Sequence, residues 1–100
     1  MSSRKRVRPQ ADFGRALQQL RAARGLVQED MLLATSRRHI SRIEQGHQVP
    51  SLRTIEVLAQ HMQIHPLTLV VAAYCPDLDD ASVTELLKTV KTDFKSIVPN

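Results

Sequence analysis

The chain has 100 residues, a formal net charge of +4, 42% apolar residues and only three aromatics, none of them tryptophan. That is the size of one domain with an aliphatic core, able to bury roughly 65% of the surface its unfolded form exposes. The single cysteine excludes an intramolecular disulfide framework, and no apolar run approaches the ~18 residues a membrane span needs. The basic start "MSSRKRVR" lacks a following apolar stretch, so no secretory signal is expected, and the expected compartment is cytoplasmic.

Charge is divided along the chain. Residues 1–53 hold eleven Lys/Arg against four Asp/Glu, and residues 54–100 hold three against six. A basic, arginine-rich half joined to an acidic half points to one end built for a polyanion.

Residues 1–11 show no apolar periodicity and read as a flexible basic arm carrying Arg4, Lys5, Arg6 and Arg8. Such an arm either enters a groove or touches phosphates without sequence preference. Asp12 can cap a first helix, with Phe13, Ala16, Leu17, Leu20 and Ala23 as one apolar stripe and Gly25 as its stop. Leu26 then turns into the core. "VQEDMLLAT" predicts a short second helix, acidic in its first turn, with Met31 and Leu32 facing inward. Ser36 caps a third helix in which Ile40 and Ile43 are the buried pair, and Gly46 stops it.

After the loop "HQVP", Ser51 caps a fourth helix with the stripe Leu52, Ile55, Leu58, Ala59 and Met62. Pro66 suits the first position of a fifth helix, apolar on most sides and so expected to be largely buried, with His65 as its cap. His61 and His65 lie four apart, but the helix boundary between them and the lack of converging ligands argue against a metal site. Cys75 reads as a packed thiol. Residues 75–81 form an acidic linker. Residues 82–98 form a last helix opening on a Ser82–Glu85 capping box. Val83, Leu87, Val90, Phe94 and Ile97 recur at spacings of four and three, two heptads of a and d positions. That stripe suits a dimer interface, packing onto the fourth and fifth helices, or docking of another protein.

The chemistry concentrates in "SRRHISRIEQG", residues 36–46. With Ile40 and Ile43 inward, Arg38, Arg42 and Gln45 fall at i, i+4 and i+7 on the outward side, and Arg37 flanks them. A helix about 10–12 Å across fits a DNA major groove of about 12 Å, and an arginine fork matches the two acceptors on guanine's major-groove edge. No nucleophile–base pair, phosphate-cradling glycine loop or metal set is present. The reading is therefore not an enzyme, and no cofactor or metal is expected. Single-stranded RNA binding lacks its stacking aromatics.

The elements "LR…RGLVQE", "ISRIEQG" and "PSLRTIEVLA", in this order, resemble the Cro-like and phage-repressor helix-turn-helix domain, the XRE family. The resemblance covers residues 12–74 and implies an all-α, five-helix, lambda-repressor-like DNA-binding domain, here with an added C-terminal amphipathic helix. It implies base reading by Arg37, Arg38 and Arg42, with Ser41 and Gln45 contributing. It implies phosphate contacts from Gln28 and from His47, Gln48, Ser51 and Arg53, and a buried ion pair between Arg21 and Glu44. "ATSRR" departs from the family by omitting the glycine–hydrophobic pair usual between the second and third helices. A tightened turn with the third helix intact is expected. The resulting expectation is a bacterial or phage transcriptional regulator, a repressor, binding a palindromic double-stranded operator as a homodimer. An antitoxin or adaptor whose main role is to bind a partner protein is the alternative.

Overall fold

A computed structural model describes residues 10–99 of the chain. The described residues form five α-helices: α1 (Phe13–Ala23), α2 (Arg37–Glu44), α3 (Leu52–Met62), α4 (Pro66–Tyr74) and α5 (Asp80–Ile97). A single 3-10 turn, Gln28–Met31, stands between α1 and α2. Among the described residues there is no strand. No helix among the described residues is long and apolar enough to cross a membrane.

Each helix start is fixed by a side chain that satisfies an otherwise orphaned N–H. Asp12 Oδ1 accepts from Arg15 N at 3.0 Å, Ser36 Oγ from His39 N at 3.1 Å, and Ser51 Oγ from Thr54 N at 3.1 Å. His65 Nδ1 accepts from Leu67 N at 2.9 Å, with Pro66 in the first turn where its missing N–H costs nothing. α2 ends at Gly46, whose φ of +80° is a left-handed conformation open to glycine without penalty.

The core is aliphatic. Leu17, Met31, Ile40, Ile43, Leu58, Met62 and Leu69 are fully buried, one or two from each element before α5. Burying each such side chain stabilises by about 1.5–3 kcal/mol. α1 lies against α2 and α4, and α3 packs on α4. α1 and α2 approach closely at Gly14, where an added Cβ would stand 2.7 Å from the Ile43 carbonyl oxygen.

Several expectations need correction. The second helix is not an α-helix: only Gln28–Met31 is helical, and a turn at residues 32–34 and a bend at Thr35 lead to the extended cap Ser36. Met31 is buried, but Leu32 is 40% exposed because so short an element has one inward position. This contraction lets the chain reach Ser36 without the omitted pair, and α2 keeps its eight residues. Ala23 and Leu52 also face solvent, since both sit at the ends of their stripes, beyond the reach of the neighbouring helix. α4 buries only Leu69, Ala72 and Ala73, while Leu67 is exposed. α5 starts earlier than Ser82, because Asp79 Oδ1 accepts from Ser82 N at 2.7 Å, so the connection is residues 75–79. Cys75 is a buried free thiol, its Sγ donating to the Asp77 carbonyl at 3.1 Å.

Candidate nucleic-acid interface

α2 has two sharply different faces. Ile40 and Ile43 are 0% and 1% exposed, and Arg38, Arg42 and Gln45 on the other side are all exposed. Eight residues at 1.5 Å rise give a rod of about 12 Å, long enough to present two turns of side chains. Arg38 and Arg42 have no acidic partner among the described residues. Arg42 Nε reaches Gln48 Oε1 at 3.4 Å, which links α2 to the exposed loop before α3. Ser41 is half-buried and accepts from Gln45 Nε2 at 3.2 Å, so these two polar side chains bond each other along the helix.

The third arginine behaves differently. Arg37 Nη1 lies 2.9 Å from Glu29 Oε2, and both side chains are 57% exposed. The Glu29 carboxyl is held below its ordinary value by its own backbone N–H and then by the Arg37 guanidinium. Arg37 therefore differs from Arg38 and Arg42: one end of its fork is occupied by an acid from the 3-10 turn.

α2 is locked to the domain from behind. Arg21 Nε donates to Glu44 Oε2 at 2.8 Å and Arg21 Nη2 to Glu44 Oε1 at 3.0 Å, a two-pronged ion pair. The Glu44 side chain is only 4% exposed and that of Arg21 17%. Arg21 Nη1 also donates to the Leu26 carbonyl at 2.9 Å, which fixes the chain after α1. Gln28 joins this cluster, donating from Nε2 to Glu44 Oε1 at 2.8 Å. One N–H of the Gln28 amide is therefore used inside the domain, because a nearly sealed carboxylate has acceptor capacity beyond what one guanidinium fills.

The loop residues His47 and Gln48, the α3 cap Ser51, and Arg53 in the first turn of α3 are all exposed, and Gln48 is tied to α2 through its contact with Arg42. Ser51 is committed locally, since its hydroxyl both caps α3 and donates to Thr54 Oγ1 at 3.0 Å. Arg53 and His47 form no ion pair among the described residues. Arg4, Lys5, Arg6 and Arg8 lie outside the described residues.

Two contributors were not singled out in the sequence. Gly14 sets how closely α1 supports α2, and its signal was a glycine inside a strongly helical stretch. Arg15 ties the start of α1 to the end of α4 by donating from Nη2 to the Ala72 carbonyl at 2.9 Å. Nothing in its spacing marked it out.

His61 Nδ1 donates to the Val57 carbonyl at 3.2 Å and His65 caps α4, so the two rings serve backbone roles. Among the described residues, no group of three or more His, Cys, Asp or Glu side chains converges to hold a metal ion.

A sequence profile described as a helix-turn-helix domain matches residues 12–70. The chain is also similar to the crystal structure of the restriction-modification controller protein C.AhdI from Aeromonas hydrophila, at 34% identity and a TM-score of 0.55. That match covers 59% of this chain and 92% of the controller protein. A comparison with curated proteins found no match.

Proposed function

The chain belongs to the helix-turn-helix domain family, of the XRE type, and from that premise we propose that it is a sequence-specific, double-stranded DNA-binding transcriptional regulator. The observation that carries the reading is α2, with two isoleucines sealed on one side and Arg38, Arg42 and Gln45 open on the other. Arg38 and Arg42 read guanines in the major groove, Arg37 contributes from the first turn, and Ser41 and Gln45 adjust the fit. His47, Gln48 and Arg53 hold the phosphate backbone, with the first turn of α3 supplying N–H donors. The basic arm adds phosphate contacts. The protein has no catalytic role, and it works in the cytoplasm of a bacterium.

The protein binds as a homodimer to a palindromic operator. Support comes from α5, none of whose residues is buried, with Phe94 62% and Ile97 74% exposed on the stripe that includes Val83, Leu87 and Val90. An apolar stripe left in water favours association. Two recognition helices joined by a two-fold axis would then meet half-sites about 34 Å apart. At an operator that overlaps a promoter, such occupancy blocks transcription, and repression is the mode of regulation proposed.

The test is selection of bound duplexes from a random pool at near-physiological salt. A symmetric, guanine-containing motif is expected. Recovery of no motif would overturn sequence-specific reading, and an asymmetric single half-site would overturn the dimer.

A further inference from the structure

Arg37 is the one α2 arginine joined to an acid among the described residues. The pairing is not imposed by burial, since both partners are 57% exposed. An exposed pair of this kind adds little to stability. Its placement is more informative. Glu29 belongs to the 3-10 turn, which is anchored by the fully buried Met31 and by the inward amide of Gln28. The carboxylate therefore rises from a fixed base beside the first turn of α2.

Glu29 contacts Arg37 through Nη1. A guanidinium held by that nitrogen keeps its Nε–Nη2 edge, two parallel N–H donors in the geometry that matches guanine O6 and N7. The carboxylate also cancels the local charge of Arg37, which weakens its attraction to phosphates of any sequence. A free arginine at this position would gain on every duplex; a held one gains where a guanine meets its remaining edge.

We propose that Glu29 is a positioning residue that sets specificity: it holds Arg37 by one nitrogen so that the opposite edge reads a guanine, and it keeps Arg37 from serving as a general phosphate contact. The proposal rests on the DNA-reading role of α2 and adds to it a residue that touches no base.

The experiment compares wild type with Glu29→Gln, which keeps the shape of the side chain and removes its charge. Each protein is put through duplex selection, then titrated against its motif and an unrelated duplex over a range of salt. Glu29→Gln should reduce guanine preference at one position of each half-site by about threefold to tenfold, the loss of one ordered side chain. Affinity for the unrelated duplex should rise, and its log–log salt slope should steepen by about 0.9, one additional phosphate contact. Arg37→Lys, which keeps the charge and lacks the fork, should lose preference at that same position. Unchanged base preference in Glu29→Gln overturns the proposal, as does loss of preference at a position that Arg37→Lys leaves untouched. A wild-type protein that selects no motif defeats the DNA-reading assignment itself, a result distinct from either. Equal thermal melts of the three proteins exclude a folding effect.

Discussion

At Glu44 a carboxylate is nearly sealed from water and survives because Arg21 grips both of its oxygens while Gln28 adds a third donor. Removing Arg21 leaves that carboxylate buried with one neutral partner. Arg21→Met should therefore destabilise the domain by about 3 kcal/mol, the low end for breaking a buried pair. Urea unfolding measures it, and an unchanged midpoint would show that the pair is dispensable. DNA binding should fall in that variant only as far as the folded population falls. Arg38 and Arg42 stand on the opposite surface, where Arg42 makes only a long, exposed 3.4 Å contact with Gln48, so Arg38→Ala and Arg42→Ala should leave the unfolding midpoint nearly unchanged. Each should cost about 1–3 kcal/mol on the selected motif and relax preference at one base pair. A uniform loss across all duplexes would make them phosphate contacts instead.

Between α1 and α2 the decisive element is a missing side chain. A Cβ on Gly14 would lie 2.7 Å from the Ile43 carbonyl and 2.8 Å from that of Glu44, and backbone cannot give way as a flexible side chain can. Gly14→Ala should cost about 1–3 kcal/mol as an overpacked contact, despite alanine's better helix propensity. A stabilised variant in a thermal melt would contradict the close approach. α5 offers a pH test. The Asp79 carboxyl lies below its ordinary value of 3.8 because Ser82 donates its backbone N–H and hydroxyl to it. A carboxyl lowered in the folded state contributes stability that is complete above the unfolded value and disappears as pH falls through the folded one. Helical ellipticity should therefore decline as pH falls below 3.8, and Asp79→Asn, which caps without titrating, should flatten that decline. Identical acid titrations of the two proteins would remove Asp79 from the account.

Across the whole molecule the long dimension is 47 Å against 31 and 24 Å for the others. An 18-residue α5 of about 27 Å, meeting the body chiefly through α4, accounts for the elongation. Between them Leu20, Leu67, Val71, Val83 and Leu87 line an apolar groove of about 480 Å³, so the stripe on α5 continues onto the body. Phe94→Glu falls on the exposed half of this surface and should leave the helical content of the folded chain unchanged. Sedimentation should show it shifted from dimer to monomer, with operator binding weakened in step. A variant that remains dimeric would move the interface elsewhere. A wild type that is monomeric would favour a partner protein on the same face, the antitoxin or adaptor reading.

Periodicity and capping chemistry are local, so the sequence by itself determined the all-α class, α1 and α3, the stops at Gly25 and Gly46, and the two-faced character of α2. The resemblance added the partnership of Arg21 with Glu44, which no spacing of 23 residues discloses. Tertiary structure alone decided that the second helix shrinks to one 3-10 turn, because helix length there depends on how far the chain must travel to Ser36. It also decided that Gln28 turns inward and that Glu29 meets Arg37, since both depend on which elements lie side by side. Leu52 and Leu67 have the hydrophobicity of core residues and are exposed all the same. Hydropathy reports what a side chain prefers, whereas burial requires a neighbouring element to cover it, and that neighbour is supplied by the fold.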